Sequence, residues 1–109
     1  MEYINEQDAM SRLSNNKSLY LRLLKKFDGN KMLDDLLTKI ESGDVVSAEA
    51  SAHTLKGIAA NLSLEDLRFH AEAIDSKLKT GNINVDTSEI VLSNTKTVEA
   101  VNEWIAANS

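Results

Sequence analysis

Residues 19–40 read LYLRLLKKFDGNKMLDDLLTKI. Leu19, Tyr20, Leu23, Leu24, Phe27, Leu33, Leu36, Leu37 and Ile40 recur at steps of three and four, which places them on one stripe of an α-helix. A half-buried strand would alternate instead, and this stretch does not. The stripe resumes after Asp28-Gly29-Asn30. The spacing therefore predicts one long helix from just after Asn15-Asn16 to about Ser42, weakened at that tripeptide but not ended.

The rest of the chain carries the same pattern. There is no proline and there are only four glycines, Gly29, Gly43, Gly57 and Gly81, so helix breakers are scarce. A short first helix is expected over about residues 5–14, with Ile4, Ala9, Met10 and Leu13 as its apolar side. Gly43 suits the residue after a helix end and Asp44 an N-cap, opening a third helix over about 45–62. Ser63-Leu64-Glu65-Asp66 offers Ser63 as the N-cap of a fourth, which continues through Leu67, Ala71, Ile74 and Leu78 until Gly81 closes it. Asp86-Thr87-Ser88-Glu89 opens a last helix with Ile90, Val98, Val101 and Ile105 inward. Four sizeable amphipathic helices with short connections imply an all-α fold, an antiparallel up-down four-helix bundle with a short additional helix at the N-terminus.

Composition bounds the functions available. The 109 residues suit one domain spanning 1–109, since a split would leave each half short of core. With 42% hydrophobic and 27% charged residues the chain has a globular balance. It has no cysteine, so disulfides and thiolate metal sites are excluded. No secretory signal opens it and no apolar run is long enough to span a bilayer. These features suggest a cytoplasmic protein, and Met1 suggests a free-standing one. Net charge is −5, and the densest basic spot is only Arg22 to Lys26, which argues against nucleic acid and anionic membranes as partners.

The chemistry concentrates in Ala52-His53-Thr54-Leu55-Lys56-Gly57-Ile58-Ala59-Ala60-Asn61-Leu62. Taking His53 as zero and about 100° per residue, Leu55, Ile58, Ala59 and Leu62 fall between about 140° and 240°. They define a buried side, and His53 stands opposite. Lys56 and Gly57 are its neighbours one turn on, and Ala50 and Ala60 lie on the same side before and beyond. The imidazole should project from a patch of small residues with one ammonium beside it, and glycine at i+4 removes the side chain that would block a partner. A neutral imidazole is a competent nucleophile near pH 7. No glycine-rich phosphate loop and no carboxylate cluster for Mg²⁺ accompanies it, so the chain offers a nucleophile without a complete active site.

His53-Thr54-Leu55-Lys56-Gly57 resembles the H-x-L-K-G signature of histidine phosphotransfer (HPt) domains, the shuttles of two-component relays. Leu19-Tyr20 through Phe27 is similar to the family's aromatic-containing second helix, and Ala71 to Asp75, A-x-x-I-D, to its A-x-x-L-E. Ser63 stands where the family usually has glycine. The resemblance implies that His53 is the phospho-acceptor, that Lys56 stabilises phosphate charge, and that Gly57 gives steric access. Glu49, Ala50 and Ala60 are then expected partner contacts. It implies exchange with the aspartate of a response-regulator receiver domain, which brings its own Mg²⁺, so that no cofactor or metal belongs to this chain. The chain is expected to be a monomeric phosphocarrier rather than an enzyme. A phosphate-accepting module of a larger chemotaxis-type or hybrid histidine kinase, or a helical interaction domain, are the competing readings.

Other residues read more blandly. His70 borders the stripe of its helix and is expected to be a structural, partly buried histidine. The i,i+4 pairs Glu49/His53 and Asp66/His70 lack the repeated pattern of a bundle metal site. Phe69 is expected to pack under a neighbouring element, Trp104 to pin the last helix, and Lys25-Lys26 to be solvated.

Overall fold

The computed structural model describes all 109 residues and contains six helices and no strand. They are α1 (Glu6–Arg12), α2 (Lys17–Lys26), α3 (Gly29–Glu41), α4 (Val45–Asn61), α5 (Glu65–Lys79) and α6 (Ser88–Asn108). α1 packs on α2, α4 lies between α3 and α5, and α6 closes the bundle by packing on α5, α3 and α2. One continuous core of 17 buried apolar residues runs through it.

The long second helix expected from the stripe is two helices. At Phe27 the backbone becomes extended, and the Asp28 carboxylate accepts from the Lys31 N–H as the N-cap of α3. Both pieces keep their stripe on the bundle, α2 and α3 each packing on α6, which is why the periodicity runs on past the break. Asn5, Asn16 and Asp44 cap α1, α2 and α4 through side-chain oxygens.

Gly43 and Gly81 end α3 and α5 with φ of +76° and +85°, where a left-handed residue turns the chain. Ser63 does the same for α4, with φ +57°. The Ser63 N–H donates to Ala60 O and the Leu64 N–H to Ala59 O, the paired bonds of a glycine-type helix end. The expectation that Ser63 caps the next helix is thus corrected: Leu64 occupies that position without a side-chain bond, and the Ser63 hydroxyl donates to Asp8 Oδ2 at 2.7 Å. That bond fixes α1 to the corner. Tyr20 fixes α2 there too, its buried hydroxyl donating to Leu62 O at 2.6 Å, and burial pushes its phenol well above the ordinary range. Trp104 stands edge-on to Tyr20 and so pins the end of α6. Phe69 does not pack under a neighbour as expected. It remains 47% exposed, edge-on to the ring of His70.

Candidate functional site

Helix α4 presents two different faces. Ala48, Ala52, Leu55 and Ala59 are buried, and the three alanines among them let the helix seat closely on its neighbours. Ile58 is half-buried at the edge of this face, and Leu62 follows it into the core. His53 points the other way, with its side chain 63% exposed. Ala50 and Thr54 beside it are exposed, Glu49 and Ala60 half-buried, and Gly57 has no heavy atom within 4 Å of the place a Cβ would take. The bare helix face expected around the ring is present.

The ammonium of Lys56 does not rest against the ring. It donates to Asp75 Oδ2 at 3.2 Å, and Asp75 arrives from the facing helix α5. The same oxygen lies 3.7 Å from His53 Nδ1 and 3.3 Å from Lys79 Nζ. Asp75 is therefore the residue that joins His53 to Lys56, and Lys79 is the fourth member of the group. Only 2% of the Asp75 side chain is exposed, and its Oδ1 has no hydrogen-bond partner. Burial alone would favour the neutral acid, but the bonds to Lys56 and Lys79 outweigh it and hold the carboxyl below its ordinary range.

Neither Asp75 nor Lys79 follows from the histidine motif. The available signal was positional: Ala71, Ile74 and Leu78 mark the buried stripe of α5, and an acid at 75 falls inside it. Besides the hollow that Ala50, Ser51 and Thr54 share with Lys31 and Lys39 of α3, two more apolar grooves flank α4. Leu13, Leu23, Phe27, Ile58 and Leu62 line one, between α1, α2 and α4, with Arg12 and Lys26 on its rim. Val45, Val46 and Leu78 line the other, at the opposite end of α4.

The family model for the Hpt domain matches residues 26–106, which contain His53, Lys56, Gly57, Asp75 and Lys79. The chain belongs to the Hpt domain family. Hpt domains are helical phosphocarrier modules of two-component signalling, and as a family they interact with response-regulator receiver domains. Phosphotransfer in such signalling is accordingly the function of this Hpt chain. No curated protein and no solved structure matches it. The matched stretch covers α3 through α6, so α1 and nearly all of α2 lie outside it. No helix is long and apolar enough to cross a membrane.

His70 is partly buried, as expected, with ring nitrogens 3.7 Å from Asp66 and 3.7 Å from Glu89. It lies outside the group around Asp75.

Proposed function

We propose that this Hpt domain carries a phosphoryl group on His53 and exchanges it with the aspartate of a receiver domain, acting as a cytoplasmic monomer. One observation carries the reading: an exposed imidazole on an unobstructed helix face has a buried, ionised carboxylate 3.7 Å from one of its nitrogens. Asp75 beside Nδ1 favours the tautomer with the proton there, which leaves the Nε2 lone pair as the nucleophile. Nε2 then forms a bond to phosphorus while the bond to the aspartyl oxygen of the acyl phosphate breaks, its electron pair returning to the partner's carboxylate. The ring keeps its Nδ1 proton, and Asp75 balances the positive charge that develops on it. For the reverse direction the same steps run backward.

This chain's part is the nucleophile, its orientation and charge, and phosphoryl transfer asks for little more than positioning and electrostatics. The divalent metal belongs to the receiver, and this chain holds no cofactor of its own. The groove lined by Ile58 and Asn61 supplies an apolar docking surface on the same helix as His53, with the cations Arg12 and Lys26 in its lining to meet an acidic receiver pocket. Glu49, Ala50 and Ala60 are contacts around the ring.

Incubation with a radiolabelled phosphoreceiver should place acid-labile, alkali-stable phosphate on the wild type and none on His53→Gln. Retention of label by that variant would move the acceptor elsewhere.

A further inference from the structure

We propose that Ser63 and Asp8 are positioning residues for partner recognition: their bond holds α1 on the α4–α5 corner, so that Arg12 and Leu13 form the wall of the docking groove that selects the receiver. The inference rests on that groove being where the receiver binds.

Helix α1 has little apolar hold of its own. It runs for seven residues and buries only Ala9, with Met10 and, just beyond its end, Leu13 partly covered. Its ion pair to α2, Glu6 with Lys17 at 3.3 Å, is exposed at both partners and worth little. The firmer tie comes from Ser63. That residue is 3% exposed and holds φ at +57°, a conformation that glycine adopts freely and serine does not. Glycine would end α4 with less strain, so the turn itself does not call for a hydroxyl. The hydroxyl is spent on α1, donating to Asp8 Oδ2 at 2.7 Å. Two backbone bonds bring the preceding segment to the same corner, Asn5 N–H to Ser63 O at 2.9 Å and Asp66 N–H to Glu2 O at 3.0 Å. They fix the chain entering α1, and the Ser63 bond fixes the direction in which the helix leaves.

Asp8 carries that placement onward. The same oxygen, Oδ2, accepts from Arg12 Nε at 2.9 Å. The bond from Ser63 and then that from Arg12 hold the Asp8 carboxyl below its ordinary range. Corner, carboxylate and guanidinium are thus linked, and the link ends in the groove. Arg12 and Leu13 line it from α1, with Leu23 and Lys26 of α2 and Ile58 and Asn61 of α4. Lys26, Ile58 and Asn61 fall inside the stretch 26–106 that matches the family model, whereas Arg12 and Leu13 fall outside it. The wall that the shared domain does not supply is therefore the wall that the Ser63–Asp8 bond places. Contacts there favour one receiver over another that meets only the shared part.

The test measures transfer to the full chain from two phosphorylated receiver domains, the fastest donor to wild type and a slower one, each varied in concentration. Ser63→Gly removes the hydroxyl without asking the turn to change. It should raise KM for the faster donor about threefold to tenfold with kcat unchanged, and narrow the preference between the two. Labelling by phosphoramidate, which needs no docking, should stay at the wild-type rate. Hydrogen exchange at the Ala9 and Leu13 amides, which donate within α1 and its ends, should quicken. Asp8→Ala should show the same changes, and the double variant should be no worse than Asp8→Ala alone, since one bond is removed in each. Unchanged exchange in Ser63→Gly overturns the latch, and quickened exchange with a wild-type KM overturns the part of α1 in docking. Lys26→Glu reverses an exposed charge of the groove without touching α1. A wild-type KM for that variant overturns the docking reading itself, and this inference with it.

Discussion

Gly57 sits in the interior of α4, where glycine costs the helix about 1 kcal/mol relative to alanine. Nothing in the fold asks for it, since a Cβ there would meet open space. The vacancy serves whatever approaches His53 from outside. Gly57→Ala should therefore stabilise the protein by about 0.5–1 kcal/mol in urea unfolding while slowing transfer from a phosphoreceiver about tenfold. Faster or unchanged transfer would mean that the partner does not close over this turn. Asp75 makes a different case, because its charge is fixed by the interior. A carboxyl whose folded pKa lies below its unfolded value, about 4, stabilises the fold above that pH and loses the contribution as pH falls through the folded value. The stability difference between wild type and Asp75→Asn should then be constant above about pH 5 and shift against wild type below about pH 4. Denaturant unfolding at stepped pH measures it, and a difference that stays flat to pH 2 would mean that Asp75 titrates as in the unfolded chain.

At the scale of elements, most helix ends that a side chain or a glycine performs were legible, the Asp28 cap of α3 excepted. Asn5, Asn16 and Asp44 accept backbone N–H bonds, and Gly43 and Gly81 turn left-handed, as their residue types suggest. Ser63 was misread because serine is a better cap than a left-handed residue. Its positive φ is held by the burial of the corner and by the bond to Asp8, neither of which local sequence contains. The α2–α3 break was hidden for another reason: both helices bury their stripes against α6, so the period survives an interruption of the backbone. Asp75 was invisible as a site residue because an acid in a helix normally faces water, and only the lysines at 56 and 79 make its burial tolerable. Gly29 shows how the break is locked. A Cβ there would lie 2.7 Å from Asn94 Oδ1 and 2.8 Å from Phe27 Cζ. Gly29→Ala should destabilise by about 1–3 kcal/mol, against the gain in helix propensity. Thermal unfolding measures it, and a stabilised variant would show that the Phe27 ring yields freely.

Over the whole molecule, the site and the helix that closes the bundle are kept apart. His53 belongs to α4, whereas α6 packs on α5, α3 and α2. The face that α6 turns inward was expected to be apolar, and Ile90 and Val101 are, but Ser93, Asn94 and Thr97 are buried beside them. The Ser93 and Thr97 hydroxyls and Asn94 Oδ1 have no hydrogen-bond partner, and only the Asn94 amide is used, donating to Asn30 Oδ1 at 2.9 Å. A buried polar atom without a partner costs about 1–3 kcal/mol. The bundle therefore forgoes stability that a better packed α6 would add, at a place where adding it does not touch His53. Thr97 is the sharpest position, being fully buried and nearly the shape of valine. Thr97→Val should raise the urea midpoint by an amount worth about 1 kcal/mol with an unchanged slope, because the same surface is exposed on unfolding. Its rate of phosphate uptake from a receiver should equal the wild-type rate. A midpoint lowered by a similar amount would show that the hydroxyl is bonded within the interior, and altered uptake would show that α6 and the histidine face are coupled through α5.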